Sequence, residues 1–346
     1  MGDRIFREGG PHKIKRVGHD EYSMTVTIPK DEDGRVAREC PNDECSPGYF
    51  KVKLGTGILD KQDAAYCPYC RRSADPSEFT TREQVRYAKD LALKEAHEGV
   101  QSMLHKALGL GASGKRTLGG GMLSIEMSLK PSSSPPVRRP FEDEVRRDVQ
   151  CPHCGLDHTV FGLATWCPDC GEDVFMTHVA AELAVTRIML GDVGRRESTL
   201  GKRVAAKDLE NCLEDTVSIF EAAVRAVVRR GMAERGMTKD EIDGRLKKFG
   251  NAFQSVPRTK DALTDLFGVR VEDAAVWSEV NHAFEKRHPI AHNLGVIDRK
   301  YLERARENEQ EGREIRITAN EIETLLSRVE DAVGQIRNAV LLHNEV

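Results

Sequence analysis

The chain has 346 residues, 39% hydrophobic and 31% charged, with a net charge of −4 and aromatics at only 5%. That length allows two or three domains, and the polar composition fits helices with wide solvated faces rather than an all-β sandwich. The near-neutral balance excludes a bulk polyanion binder, so any nucleic acid must be held by a local patch.

No apolar run approaches the roughly 20 residues that span a bilayer. The first residues carry Arg4, Arg7, Lys13, Lys15 and Arg16 among glycines and a proline, without the apolar stretch of a signal peptide. The expectation is a soluble, cytoplasmic protein with no membrane partner.

In chain order, residues 1–30 are basic and turn β-like at "YSMTVTIP". "YFKVKL" alternates Phe50, Val52 and Leu54 with polar residues and predicts a half-buried strand. A capping box from Thr80 to Glu83 then opens a helix reaching about Leu108, with Val85, Ala88, Ala92, Ala96, Val100, Met103 and Ala107 on one stripe. "GLGASGKRTLGGG" breaks that helix and reads as a flexible linker. It misses a phosphate-binding P-loop because Arg116 follows Lys115, where Ser or Thr must hold Mg²⁺. A short strand, "MLSIEMSL", leads into the proline-rich "KPSSSPPVRRP".

From about residue 175 onward the pattern is helical throughout. One stripe takes Leu209, Leu213, Val217, Phe220, Val224 and Val227, and a second takes Val276, Val280 and Phe284. A third, opened by a Thr318–Glu321 capping box, takes Ile322, Leu325, Val329, Ala332, Ile336 and Val340. These stripes predict an antiparallel bundle of four or five helices.

Eight of the nine cysteines fall into pairs: Cys40 with Cys45, Cys67 with Cys70, Cys151 with Cys154, and Cys167 with Cys170. In each pair proline follows the first cysteine, a tight-turn arrangement that points both sulfurs inward and turns backbone N–H groups toward them. Two such turns supply the four soft ligands of a tetrahedral Zn²⁺, so the two quartets predict two structural zincs in zinc-ribbon modules. Redox chemistry at a lone Cys-x-x-Cys is the weaker alternative, because both quartets are complete. His153 and His158 are expected at the surface, and Cys212 in the helical core. The resulting fold class is α+β multidomain: an N-terminal zinc-ribbon domain over 1–108, a linker with a short strand over 109–148, a second ribbon over 149–174, and an all-α domain over 175–346.

"RHPIAHNLG", from Arg287 to Gly295, crowds an arginine and two histidines around a proline. Continued at helical pitch, the Val276–Val280–Phe284 stripe carries Arg287, while His288 and His292 share the adjoining flank. Pro289 predicts a kink. An arginine on an apolar stripe must be paired, since a buried unpaired charge costs several kcal/mol; its partner is either a carboxylate inside the bundle or a phosphate.

The run "RHPIAHNLGVIDRKYL" resembles the Arg-polar-x3-His-Asn-x-Gly-x-x-Asp signature, with Lys-Tyr shortly after, of ribonuclease-like branches of the HEPN superfamily. The resemblance covers the C-terminal half. It implies a HEPN-type helical bundle with Arg287 and His292 as the catalytic pair and His288 as the polar residue between them. It also implies a homodimer that brings two motifs together in one RNA-binding cleft. Asn293 would position a base or sugar, or cap the helix before Gly295; His282 falls on the opposite face and is expected in solvent. RNA carries its own nucleophile, the 2′-OH, so an endoribonuclease of this kind needs no catalytic metal. Family membership further implies settings such as RNA-cleaving toxins or antiviral defence, with a protein regulator or antitoxin as a further partner.

Two other readings stand beside this one: a noncatalytic zinc-ribbon and helical-bundle adaptor binding RNA or protein, and a DNA-binding regulator, against which the near-neutral charge weighs. A basic cluster, Arg195, Arg196, Lys202, Arg203 and Lys207, is either an RNA-binding patch or a solvated connector.

Overall fold

The computed structural model describes residues 5–19, 21–60, 62–110, 114–119, 125–130, 132–140, 147–271, 274–305 and 309–341. The strands are β1 (Lys15–Arg16), β2 (Tyr22–Ser23), β3 (Arg35–Glu39), β4 (Tyr49–Lys53), β5 (Ala65–Tyr66), β6 (Ser73–Ala74), β7 (Lys115–Leu118), β8 (Ile125–Ser128), β9 (Arg147–Gln150) and β10 (Asp157–Val160). The helices are α1 (Arg82–Ala107), α2 (Phe175–Leu200), α3 (Lys202–Glu234), α4 (Lys239–Phe249), α5 (Val256–Phe267), α6 (Ala274–Asn293), α7 (Arg299–Ala305) and α8 (Ala319–Leu341), with 3-10 turns at Pro76–Phe79 and Ala252–Gln254. The layout is α+β, with small antiparallel sheets in the N-terminal half and most helices in the C-terminal half. Among the described residues no helix is long and apolar enough to cross a membrane.

The two cysteine modules are not separate beads. Their strands join in one antiparallel sheet, ordered β3-β4-β10-β9, with His158 of β10 opposite Val52 of β4 and Val149 of β9. Outside the sheet, Thr165 N and Trp166 N both donate to Pro68 O, at 2.8 and 3.1 Å, and Tyr66 N donates to Pro168 O at 2.8 Å. Phe50, Val52, Phe79, Val149, Leu156, Val160 and Val174 form one core with the buried cysteines of both modules. The physical reason is size: neither module alone can bury enough apolar surface to hold itself together.

Several local expectations change. β4 is covered on both faces: Phe50, Lys51 and Val52 are all buried, Lys51 Nζ lies 3.0 Å from Asp31 Oδ2, and Leu54 is exposed. The α1 capping box is formed by Thr81 and Gln84, one residue later than the sequence pattern suggests. Val85 and Val100 on the expected stripe are exposed, whereas Gln84, Asp90, Leu91 and Gly99 are buried. This face packs on irregular chain rather than on helices: Gln84 Nε2 donates to Ala37 O, Asp90 Oδ2 accepts from Arg138 N and Nε, and an added Cβ at Gly99 would overlap Ile5 O. The expected linker contributes β7, paired with β8, and β9 of the shared sheet begins within it. Residues 111–113, 120–124, 131 and 141–146 of the linker and strand segment lie outside the described set. Only Tyr22 and Ser23 of "YSMTVTIP" form a strand.

The helical stripes pack as read. Leu213, Val217, Phe220, Val224 and Val227 of α3 and Ile322, Leu325, Val329, Ala332, Ile336 and Val340 of α8 are all buried, with Leu209 partly so. They share one core with Val276, Val280 and Phe284 of α6. α2 and α3 meet at Gly201, whose φ of 93° lets the chain reverse between them. Phe220 lies edge-on to both Trp277 and Phe284, with ring centroids 6.2 and 5.1 Å apart.

Sheet and bundle are tied by polar contacts. Asp173, just after the last cysteine knuckle, accepts from Arg230 Nη1 of α3 at 2.6 Å and from Arg337 Nη2 of α8 at 2.9 Å. The Trp166 ring meets the guanidinium groups of both Arg71 and Arg230, at 4.1 and 4.3 Å from the ring centroid. His178 of α2 is fully buried and accepts from Ala164 N at 2.7 Å.

Candidate metal centres and active-site cleft

The eight paired cysteines form two clusters, Cys40–Cys45–Cys67–Cys70 and Cys151–Cys154–Cys167–Cys170, each with its four sulfurs within 4.8 Å of one another. None is in a disulfide. The Sγ–Sγ distances are 3.6 Å for Cys40–Cys70 and Cys45–Cys67, 3.7 Å for Cys151–Cys170 and 3.6 Å for Cys154–Cys167. A tetrahedral thiolate site with metal–sulfur bonds of about 2.3 Å has edges of about 3.8 Å. The donor sets therefore fit two metal ions.

Local backbone explains this fit. In three turns the first cysteine donates its N–H to the carbonyl five residues on, and its own carbonyl accepts from the residue four on; the pairs are Cys67 with Arg72 and Arg71, Cys151 with Leu156 and Gly155, and Cys167 with Glu172 and Gly171. The closing residue is left-handed in each, Arg71 at φ 61°, Gly155 at 78° and Gly171 at 69°. The wider Cys40–Cys45 turn instead closes through Cys40 N to Gly48 O and Cys45 N to Asn42 O.

Of the residues near these clusters, His153 is exposed as expected, but His158 is fully buried on β10, a correction to its expected surface position. Among the described residues neither ring nitrogen of His158 finds a well-formed hydrogen bond, and burial pushes its pKa down to about 4. The expectation rests on four cysteines already completing the ligand set, whereas His158 is buried because its strand is covered on both faces. Cys212 is buried in the helical core, and burial raises its thiol to about 11.

The second candidate site is an open cleft of about 980 Å³ bounded by α5, α6 and α7. Arg287, His288 and His292 all line it. α6 continues past Pro289 to Asn293, so the expected kink does not end the helix before His292. The turn that follows places Leu294 and Gly295 at φ 53° and 83° and closes with Gly295 N donating to Pro289 O at 2.9 Å.

Arg287 is half-buried. Its Nη1 donates to Gln254 Oε1 at 3.2 Å, while its buried Nε has no hydrogen-bond partner among the described residues. No carboxylate lies within ion-pair distance of it among the described residues, so the carboxylate partner weighed from sequence is replaced by a neutral amide. That amide is held in turn: Gln254 Nε2 donates to Glu221 Oε2 at 2.7 Å, and Arg225 Nη2 donates to Glu221 Oε1 at 3.1 Å. A carboxylate against Arg287 would cancel its field. Gln254 positions the guanidinium and leaves its charge directed at the cleft. No sequence signal marks Gln254, which sits on a separate 3-10 turn.

His288 and His292 stack with ring centroids 5.0 Å apart. His288 Nε2 lies 4.0 Å from Asp298 Oδ2, and burial together with the charge of Lys300 lowers the His288 pKa. That shift favours the neutral imidazole of His288, the form able to take a proton. His292 is exposed.

Asn293 does not line the cleft: its Nδ2 donates to Asp298 Oδ2 at 2.8 Å, so its amide fixes the loop that presents α7. Asp298 Oδ1 also accepts from Tyr301 N at 2.7 Å. His282, expected in solvent, is half-buried and lines the cleft.

The basic cluster stands apart from this cleft. None of Arg195, Arg196, Lys202, Arg203 and Lys207 lines it. Arg195 forks onto Asp192 at 2.6 Å, Arg196 Nε lies 2.8 Å from Asp208, and Arg203 and Lys207 both reach Glu210, at 2.9 and 3.0 Å. Four of its five cations are thus paired with three carboxylates from before and after the stretch, which a local count passes over. Comparisons of the chain with protein-family models, with curated proteins and with solved structures found no match.

Proposed function

We propose that this chain is a metal-independent endoribonuclease of HEPN type, acting as a homodimer, whose two cysteine clusters hold structural Zn²⁺. The observation that carries the reading is Arg287, a permanent cation held by a neutral amide in an open cleft beside two histidines. Arginine forks onto phosphate oxygens and stabilises the charge that builds on a pentacoordinate phosphorus. The 2′-oxygen attacks phosphorus, the P–O5′ bond breaks, one proton leaves the 2′-OH and one is delivered to the leaving O5′. His292 moves a proton in this scheme, and His288, turned toward Asp298, orients the substrate.

Zinc fits the all-thiolate donors and edge lengths, and its binding contributes on the order of 10–16 kcal/mol to folding modules of this size. Leu294, 84% exposed beside His292, and Val296, 44% exposed, favour a partner protomer closing over this end of α6.

The test is purified protein with RNA in EDTA, comparing wild type with His292→Ala and Arg287→Ala. The expected products carry a 2′,3′-cyclic phosphate and a 5′-OH, DNA is inert, and the His292 variant loses roughly 10²–10⁴-fold in rate. The Arg287 variant loses about 10²–10³-fold. Unchanged activity in His292→Ala, or 5′-phosphate ends that require added Mg²⁺, would overturn the reading.

A further inference from the structure

Arg287 is not the sole cation facing its cleft. Arg258 of α5 and Lys300 and Arg304 of α7 line the same space, so three helices contribute positive charge to it. Among the described residues neither Arg258 nor Lys300 has a carboxylate within 4.0 Å, and Arg304 has only Glu285 at 3.9 Å. This sets them apart from the Arg195–Lys207 cluster, where four of the five cations are closely paired. The other carboxylate lining the cleft, Glu303, is engaged by Arg299 Nε at 3.3 Å. Lys300 and Arg304 lie four residues apart on α7, neighbours on one helical face. Their charges reach the motif, since both contribute to lowering the His288 pKa.

The N-terminus of α5 adds a further attraction. Ser255 makes no side-chain cap there, Pro257 has no N–H to satisfy, and both residues line the cleft. An uncapped helix start favours an anion. A single phosphate on Arg287 would leave the cations of the two flanking helices unused.

We propose that the cleft binds a single-stranded polynucleotide along several consecutive phosphates, with Arg258 holding backbone on one side of Arg287 and Lys300 and Arg304 holding it on the other. This rests on the reading that the Arg287–His292 site acts on RNA. It makes the substrate a chain rather than a nucleotide, and it makes Arg258, Lys300 and Arg304 binding residues for the flanking phosphates.

The experiment separates binding from cleavage. A 2′-O-methyl oligoribonucleotide keeps every phosphate but lacks the nucleophile, so its affinity can be followed by fluorescence anisotropy against salt. Each phosphate contact to a single strand contributes a slope of about −0.7 in log K against log salt. Arg258→Gln and Lys300→Gln should each flatten the wild-type slope by about 0.7, and the double variant by about 1.4. The same substitutions should slow cleavage of a long oligoribonucleotide by a larger factor than that of a dinucleoside monophosphate, which has a lone phosphate; equal slowing of both would count against the track. Metal content and thermal unfolding should match wild type, which excludes misfolding as the cause. If wild type binds and Arg258→Gln and Lys300→Gln keep its slope, the track is wrong while the site stands. If wild type binds no oligonucleotide even at low salt, the ribonuclease reading fails and the track with it.

Discussion

Replacing Asp173 with asparagine should loosen the metal-bearing sheet from the helical bundle. The carboxylate accepts from Arg230 Nη1 at 2.6 Å and from Arg337 Nη2 at 2.9 Å, while its second oxygen accepts from Phe175 N at 3.0 Å. Asparagine keeps the size and the bond to Phe175 N, so the change isolates the charge. Each charge-assisted bond contributes roughly 1.5–3 kcal/mol. Two corrections bring the total down. All three side chains are about a fifth exposed, so water partly replaces what is lost. Arg230 also keeps Glu234 at 2.8 Å and its stack on Trp166. The net loss is about 3 kcal/mol, most of it from Arg337. For a unit of 150–250 residues that corresponds to a fall in Tm of about 6–12 °C, read by calorimetry at unchanged metal content. Burial raises the Asp173 pKa, but the two arginines outweigh that and hold it below the usual carboxylate range. The group therefore stays ionised above pH 5, and the gap between wild type and variant should be constant from about pH 5 to 8. A shift under about 2 °C would show that apolar packing alone joins the two halves.

Cys154→Ser should abolish metal binding at its own cluster and speed chelator-driven loss from the other, because β4 and β10 carry both clusters in one sheet; an unchanged release rate would mean that the clusters are independent. His158→Leu tests the buried imidazole. The unfolded chain takes up a proton near the ordinary value of about 6.5, whereas the folded one waits until about 4, so wild type loses on the order of 1 kcal/mol between pH 8 and 5.5 that the variant keeps. Parallel pH dependence in the two proteins, followed by urea unfolding, would refute this. Neutralising Arg195, Lys202 and Arg203 together should leave the salt slope of oligonucleotide binding unchanged, since Arg195 and Arg203 are paired with Asp192 and Glu210 and the cluster lies outside the cleft; a flatter slope would restore the cluster as an RNA contact.

What the sequence by itself determined is local. The Cys-Pro turns set both metal-ligand quartets, because a turn of a few residues fixes where two sulfurs point. The stripes on α3, α6 and α8 and the Thr318–Glu321 cap follow from helical repeat alone. The motif on α6 was legible for the same reason, since His288 and His292 are one turn apart. Tertiary structure decided whatever depends on partners distant in the chain. His158 is buried because its strand, paired with β4 from more than a hundred residues away, is covered on both faces, so that His158, Thr159 and Val160 are all buried. Val85 and Val100 of the α1 stripe are exposed, and Gln84 and Asp90 are buried instead, because that helix meets irregular chain rather than another helix. Arg195 and Arg203 lose their appeal as a patch to carboxylates outside the window in which they were counted. Gln254, Arg258 and Lys300 join Arg287 only because the Ala252–Gln254 turn, α5, α6 and α7 converge on one cleft. Periodicity reports which residues share a face, whereas the occupant of the opposing face is set by long-range packing that no local pattern encodes.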